Sequence, residues 1–295
     1  MPRRSNFAIA GFALLLAFAG AGWAWHENQK VCCAFPDDPV PESSFELLAR
    51  AEPLGLMTSM PLYWPITSDM SEIINGTAER PWQSAAFSHD HEVLPLDSLA
   101  PVPALSPGMP DRNPIADLER LAVIQPRGLS PQDNVALDKW VRDGGRLLLV
   151  LDPQLTGHYA VPLGDPRLPT YAALIPPVVE RWGLEVVFDD QQAEQRAVSM
   201  PFADEPFELA LAGEVRLRSE DIDCELSGER TLAQCKVGEG RVTLLADAAI
   251  FEDGAHLHGD RERHADAHPE DHADERSEPL IALMRFAFSD QEGSE

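Results

Sequence analysis

Basic residues are scarce in this chain. Lys and Arg number 23 against 49 Asp and Glu, so the formal net charge at pH 7 is −26, and the pI is near 4.6. A nucleic-acid-binding protein needs a basic surface that neutralises phosphates, and this sequence has no basic segment of that kind. The composition therefore excludes nucleic acid as a partner. It also predicts repulsion from anionic lipid headgroups.

Cysteine is scarce too, with four residues in the chain. Cys224 and Cys235 flank a turn, Ser227-Gly228-Glu229, between two alternating segments, so the two sulfurs could face each other across a hairpin. We predict a disulfide there, as in exported proteins; the alternative is two separate buried thiols. Cys32 and Cys33 are adjacent in a Pro-rich stretch, where an intermolecular bond and a free pair both remain open.

The N-terminal segment indicates export. Arg3 and Arg4 precede a run of 19 uncharged residues, 7–25, which is long enough to cross a bilayer as a helix. Because basic residues stay on the cytoplasmic side, the main domain is expected in the periplasm. The segment is either an uncleaved anchor, which the interfacial Trp23 and Trp25 favour, or a signal peptide cleaved near Ala19–Ala21. We expect a bacterial inner-membrane protein with a single span.

The organising unit of the domain is a strand, a helix and a second strand. The run 121–124 is short, apolar and bounded by Gln125-Pro126, as in a buried strand. Ser130 is the predicted N-cap of a helix with Pro131 at its first position and Asp133 completing a capping box. Gly144-Gly145 ends that helix, and 147–151 is a second buried strand. This βαβ unit predicts a parallel sheet with helices on both faces.

Further elements extend this α/β fold in both directions. We predict strands at 54–59, 93–96 and 184–188 on the same sheet, and helices at 82–87, 171–182 and 279–288. Alternating segments between residues 207 and 246 predict an antiparallel extension. The resulting division is an anchor or signal at 1–26, a linker at 27–53, an α/β domain at 54–251, an acidic His-rich loop at 252–278, and a closing helix and tail at 279–295.

Two motifs carry a resemblance to a known family. LSPQDNVALDKWVRDGGRLLLVLDP and the later VGEGRVTLLADAAIFED resemble the gliding-motility-type auxiliary ABC-transporter family (GldG-like), over about residues 55–250. That resemblance implies a domain similar to class I glutamine amidotransferases, with flavodoxin-like layering, and a membrane-associated, transport-linked role without demonstrated catalysis.

Amidotransferase activity would require a nucleophilic Cys on a strained turn after a core strand, with a His to activate it. Neither Asp152-Pro153 nor Gln125-Pro126 supplies a thiol or hydroxyl, and Ser59 lacks a Gly-x-Ser-x-Gly context. We therefore expect a protein that is not an amidotransferase.

Polar residues follow several predicted strands. Because ligands bind at the carboxyl ends of strands in open α/β sheets, these residues are the candidate ligand-binding set, although Asp next to Pro also caps turns. They are Thr58, Ser59, Gln125, Asp152 and Asp247.

Histidines recur in the acidic segment. Imidazole and carboxylate together suit zinc, nickel or copper, but Pro269 interrupts any helix that would align the later three, and a solvated acidic insertion is the alternative. The candidate metal ligands are His256, His258, His264, His268 and His272.

These features together predict a non-catalytic, membrane-anchored periplasmic binding or scaffold component of a transport or envelope assembly. An ABC transporter or another membrane protein is the expected partner, and no cofactor is expected. The alternative is an exported metal-binding protein or hydrolase that uses a divalent metal at the His-rich segment.

Overall fold

The computed structural model describes residues 51–64, 70–75, 77–78, 80–104, 106, 108–159, 161–252 and 271–289. They belong to one compact unit, Arg50–Glu295. The predicted membrane segment, the linker with Cys32 and Cys33, and most of the His-rich segment lie outside the described residues. Within the described part of the chain, no helix is both long and apolar enough to span a bilayer.

The centre of the fold is a seven-stranded sheet with the order β2-β1-β3-β4-β11-β10-β9. Its parallel strands are β1 (Glu52–Thr58), β2 (His91–Pro95), β3 (Arg120–Ile124), β4 (Arg146–Val150) and β11 (Gly240–Leu245). The antiparallel strands β10 (Leu232–Val237) and β9 (Cys224–Ser227) extend it at one side. The prediction of an α/β fold with a mainly parallel sheet is confirmed, as is an antiparallel extension.

Helices cover both faces of this sheet. One face packs against α2 (Trp82–Ser88) and α5 (Asp271–Phe288), and the other against α3 (Pro131–Arg142) and α4 (Pro177–Arg181). Helix α1 (Met70–Asn75) lies in the segment between β1 and β2. Alternate residues of each strand enter opposite cores, and all five residues of β3 are buried, as expected for a central strand between two helical layers.

The capping box predicted at the start of α3 is present. Asp133 donates its backbone N–H to the Ser130 hydroxyl, and the Ser130 N–H returns to the Asp133 carboxylate at 3.1 Å. The other Asp133 oxygen accepts from the N–H groups of Leu99 and Ala100. Burial alone would raise the pKa of Asp133, but the bonds from Ser130, Ala100 and Leu99 outweigh it and lower that pKa. One carboxylate thus joins the helix to the preceding loop.

Two predictions about the chain after β4 are wrong. The predicted helix 171–182 is reduced to α4 because Pro176 and Pro177 begin it, and residues before a proline avoid the helical conformation. The strand β5 (Leu184–Val187) does not join the central sheet but pairs with β8 (Glu214–Leu217) in a separate two-stranded sheet. The strands β6 (Gln195–Val198) and β7 (Phe207–Ala210) form another.

The closing helix is longer than predicted. It begins at Asp271 rather than near Pro279, so Pro279 lies inside it and its first residues belong to the stretch predicted as loop. Near its other end, Arg146 and Arg241, paired in register on β4 and β11, donate to the carbonyls of Phe288 and Ser289. Cations at a helix C-terminus offset its partial negative charge, so these bonds stabilise the end of α5 against the sheet.

The predicted disulfide is present. Cys224 and Cys235 are directly opposed on β9 and β10 and are bonded. The disulfide therefore cross-links the two antiparallel strands at this edge of the sheet.

Candidate functional site

The five predicted ligand-binding residues lie at one edge of the sheet. Ser59, Gln125, Asp152 and Asp247 follow the carboxyl ends of β1, β3, β4 and β11, which are neighbours in the sheet, and Thr58 is the last residue of β1. The fold therefore gathers residues that are up to 189 positions apart in sequence at one edge of the sheet. We name this group of residues the carboxyl-edge site.

Gln125 occupies the middle of the carboxyl-edge site and is fully buried. Its backbone has a positive φ of 43°, which is uncommon for a residue other than glycine. Its side-chain amide donates to the carbonyls of Asp152 and Thr170 at 3.0 and 2.9 Å, and its oxygen accepts the Asp152 N–H at 2.9 Å. Every hydrogen-bonding position of this amide except one oxygen lone pair is thus used to hold neighbouring chain.

The two hydroxyls of the site are also occupied. Ser59 donates to the Gln125 carbonyl at 2.5 Å and accepts the Thr170 N–H at 3.1 Å. Thr58 accepts the Met60 N–H at 2.9 Å. A serine nucleophile needs a base that receives its proton, and the Ser59 proton faces a backbone carbonyl instead. Ser59 accordingly acts as a structural residue in this conformation.

Asp152 and Asp247 are each only 1% exposed. Asp152 accepts the N–H groups of Ala248 at 2.9 Å and Gln154 at 2.7 Å. Asp247 accepts those of Ala210 at 2.8 Å and Ala249 at 2.5 Å. Both carboxyl groups therefore fasten loops over the sheet edge.

The electrostatics of this pair favour protonation. Burial raises the pKa of Asp152 well above its ordinary value, and the neighbouring Asp247 raises it further, against the hydrogen bonds from Ala248 and Gln154. Burial likewise raises the pKa of Asp247, to about 7, although its two backbone bonds oppose the shift. Raised carboxyl pKa values occur at functional sites and also in buried structural hydrogen-bond networks.

Glu252 is a site residue that the sequence analysis missed. Its place in the sequence predicts an acidic loop, yet it is 3% exposed, and it contributes to the raised pKa values of both aspartates. Its carboxylate accepts the N–H and hydroxyl of Thr156 and the hydroxyl of Tyr159, at 2.8–3.1 Å. The signal for its burial was its position directly after Ile250 and Phe251, which continue the apolar run of β11.

Catalytic nucleophiles and metal ligands were the other candidates. Within the described residues, Cys224 and Cys235 are bonded to each other, and no group of three His, Cys, Asp or Glu side chains is arranged to hold a metal. His256, His258, His264 and His268 lie outside the described residues, and for His272 the structure describes the backbone alone, at the start of α5. The metal-binding prediction therefore stays a prediction.

A groove of about 1200 Å³ lies at the opposite, amino edge of the sheet, between α3 and a wall formed by Pro101 and residues 113–119. Its charged lining residues are Glu119, Lys139, Asp143 and Arg146. Val135 is 70% exposed there, whereas Trp140 is half-buried and donates its indole N–H to the Leu118 carbonyl. The apolar lining includes Pro101, Ile115, Leu118, Val135, Ala136 and Trp140. Sequence reasoning pointed to the other edge of the sheet and did not find this groove.

Comparison with known proteins gives weak similarities. No protein-family model matches the chain, and no curated protein is significantly similar to it. An exo-beta-1,4-mannosidase from Opitutaceae bacterium strain TAV5 is 13% identical with a TM-score of 0.43, over 80% of this chain and 36% of that one. A cytoplasmic protein from Salmonella typhimurium is 10% identical with a TM-score of 0.41, over 80% and 98%. A putative ThuA-like protein from Parabacteroides merdae is 10% identical with a TM-score of 0.31, over 66% and 79%.

The chain spans about a third of the length of the first two glycoside hydrolases that it matches, 36% and 31%. All these TM-scores are below 0.5, and such similarities imply nothing about activity.

Proposed function

We propose that this protein is a non-catalytic, membrane-anchored component of a periplasmic transport or envelope assembly, and that it acts by binding another protein. One observation carries the proposal: the crevice where α/β enzymes hold their substrates is filled by the protein's own hydrogen bonds. Ser59 and Gln125 both bond to the backbone of Thr170, and Asp152 accepts the N–H of Gln154. These groups serve to close the site rather than to present a reactive atom.

The resemblance of the two sequence motifs to the auxiliary ABC-transporter family agrees with such a role. It implies a layering similar to class I glutamine amidotransferases, and the parallel sheet with helices on both faces is compatible with that layering. The absence of a thiol at Gln125-Pro126 and Asp152-Pro153 agrees with a member that has no amidotransferase activity.

We assign the groove beside α3 to the partner. Its volume of about 1200 Å³ is larger than the roughly 300–1,000 Å³ that holds a small ligand, and its apolar lining suits a polypeptide segment. The charged residues that line the groove, Glu119, Asp143, Lys139 and Arg146, balance one another, so an apolar segment without a strong charge of either sign is the complementary partner. The N-terminal apolar run would bring the domain to partners in the membrane.

Native co-purification tests this function. The full-length protein is extracted with its membrane partners, and its complex is compared with those of two variants, Val135→Glu in the groove and Leu163→Glu at another exposed apolar residue. Val135 and Leu163 are 70% and 92% exposed, so neither change disturbs the core. We expect the same transport or envelope protein with wild type and Leu163→Glu but not with Val135→Glu. Equal recovery in all three would contradict the assignment of the groove.

A further inference from the structure

Helix α3 has two different faces, one toward the core and one toward the groove. On the core face, Leu137 and Val141 are fully buried against the sheet. The residues on the groove face recur at intervals of three and four, the spacing of one side of a helix. We call them the α3 stripe: Gln132, Val135, Ala136, Lys139, Trp140 and, at the C-cap, Asp143.

The indole of Trp140 is fixed within the α3 stripe. Its N–H donates to the Leu118 carbonyl at 2.9 Å. A Cβ atom on Gly145 would lie 2.5 Å from the ring, so the ring rests directly on the backbone at this glycine. Trp140 therefore presents a rigid apolar surface to the groove without a free N–H donor. Tryptophan is one of the residues that contribute most to binding at protein interfaces.

Backbone groups that border the groove are already hydrogen-bonded within the protein. The Leu118 carbonyl accepts the Trp140 indole, and prolines at 101 and 131 have no N–H to offer. The other bonds are Gly145 N–H to the Trp140 carbonyl, Arg146 N–H to the Glu119 carbonyl, and Leu118 N–H to the Ile115 carbonyl. The groove thus offers few hydrogen bonds to the backbone of an incoming segment.

An extended peptide needs such hydrogen bonds, and it commonly obtains them by adding a strand to a free sheet edge. Arg146 is the strand residue among those that line the groove, and its strand β4 is paired with β3 on one side and β11 on the other. An extended segment would therefore bury backbone groups without partners, at a cost in free energy. A helix satisfies its own backbone and can bind through side chains alone.

The charges along the groove also bear on the occupant. Two acidic and two basic side chains line it, Glu119 and Asp143, and Lys139 and Arg146. Lys139 and Asp143 form an ion pair with each other. The balanced charges fit a helix face that is apolar and carries no strong charge of either sign.

We propose that the groove binds an amphipathic α-helix of another protein, which lies along the α3 stripe with its apolar face against Val135, Ala136 and Trp140. The stripe extends over 11 positions from Gln132 to Asp143, which corresponds to about 16 Å or three helical turns. The small side chain of Ala136 at its middle permits two helices to approach closely. This inference rests on the proposed function, because it names the kind of segment that the groove receives.

Photocrosslinking with residue mapping distinguishes a helix from an extended segment. A photoreactive residue is placed in turn at Gln132, Lys139 and Asp143 of the full-length protein in intact cells, and mass spectrometry identifies the partner residue joined to each. All three side chains are exposed, so these changes leave the core intact.

The separation between the mapped partner residues is the measured quantity. A partner helix rises about 1.5 Å per residue, as α3 does, so the residues reached from 132 and 139 should be about 7 positions apart, and those reached from 132 and 143 about 11. An extended segment rises about 3.3 Å per residue, so the same separations would be about 3 and about 5.

A substitution at the middle of the stripe tests the close approach. Ala136→Arg places a long charged side chain between the two helices, and the adduct yields from positions 132 and 143 should fall at least about tenfold. Ala85→Arg, at an exposed position of α2, is the matched control and should leave the yields unchanged. Circular dichroism verifies that both variants are folded, and the mapping without Ala136→Arg decides the question if that variant is not.

Mapped separations of about 3 and about 5 would overturn the helical partner and leave the proposed function intact. Adducts scattered over many residues or unrelated proteins would overturn it as well, and so would unchanged yields in a folded Ala136→Arg. No adduct from any of the three positions, or the same adducts from a photoreactive residue at Leu163 outside the groove, would overturn both this inference and the proposed function. Capture of a protein without the helical spacing counts against the inference.

Discussion

Asp152 and Asp247, which follow adjacent parallel strands, receive hydrogen bonds from two consecutive backbone amides. Ala248 donates to Asp152 at 2.9 Å, and Ala249 donates to Asp247 at 2.5 Å. The turn after β11 thus places two acids side by side in the core. Their shared need for protons makes the stability of the fold depend on pH.

The free energy of unfolding should fall as pH rises from about 4 to about 7. The pKa of Asp247 is raised to about 7 in the folded protein, so the folded state holds a proton that the unfolded state has released in this range. Urea titrations of wild type and Asp247→Asn across these pH values check this. Asn leaves one of the two N–H donors unpaired, so we expect lower stability throughout, by about 1–3 kcal/mol.

The informative quantity in that experiment is the slope of the free energy of unfolding against pH. The fall in wild-type stability should be steeper than that of Asp247→Asn by up to about 1.4 kcal/mol per pH unit. Below about pH 4 the trend reverses, because acids with lowered pKa values such as Asp133 and Asp138 lose their stabilising charge when protonated. Equal slopes for wild type and variant would show that Asp247 does not carry the linkage.

The cross-strand disulfide should stabilise the fold measurably. Cys224 and Cys235 are 11 positions apart, and a loop of this length corresponds to about 3 kcal/mol. The double variant Cys224→Ser/Cys235→Ser should lose about that amount in chemical denaturation. Reduction with dithiothreitol should destabilise wild type equally and leave the double variant unchanged. If reduction also destabilised the double variant, the loss of stability would have to come from the other cysteines, Cys32 and Cys33.

The capping box makes Asp133 more important than a typical N-terminal helical residue. Ser130→Ala removes the cap and should cost about 1 kcal/mol. Asp133→Ala also leaves the amides of Leu99 and Ala100 without their acceptor, so we expect a loss of about 3 kcal/mol. Gln132 is an exposed neighbour, so Gln132→Ala is the control and should change the free energy of unfolding by less than about 0.5 kcal/mol. Equal losses of stability in Ser130→Ala and Asp133→Ala would contradict the role of Asp133 in holding the preceding loop through Leu99 and Ala100.

Gln125 should prove structural. Gln125→Ala abolishes three side-chain hydrogen bonds in a fully buried position, and the expected loss of stability is about 3 kcal/mol. Denaturation of Gln125→Ala beside Thr58→Ala, which loses one local bond to Met60, measures the difference. If Gln125→Ala were as stable as wild type, the amide would not be needed for the fold, and a role in ligand binding would be favoured instead.

Local patterns predicted the centre of the fold because they reflect local energetics. The cap at Ser130, the glycines after α3 and the apolar strand 147–151 each identify their element without reference to the rest of the chain. The convergence of Ser59, Gln125, Asp152 and Asp247 followed from parallel strands alone. The environment of these residues did not, since burial and hydrogen bonding depend on the covering loops.

The errors lie where distant contacts decide. The pattern of residues 184–188 predicts a strand but not the sheet that it joins. Its pairing with Glu214–Leu217 depends on contacts between residues distant in sequence. The sequence around Glu252 predicts an exposed acid. Its burial depends on hydrogen bonds from Thr156 and Tyr159, which are distant in sequence. The groove beside α3 arises from the path of residues 113–119, which has no periodic pattern that would predict it.

Site-specific photocrosslinking in intact cells tests the central claim that the protein works by binding through the groove. A photoreactive residue is placed at Val135, and in a separate variant at Leu163, on the full-length chain. We predict a discrete adduct with one transport or envelope protein from position 135, and no such adduct from position 163. The absence of an adduct at 135, or the same adducts from both positions, would contradict the account.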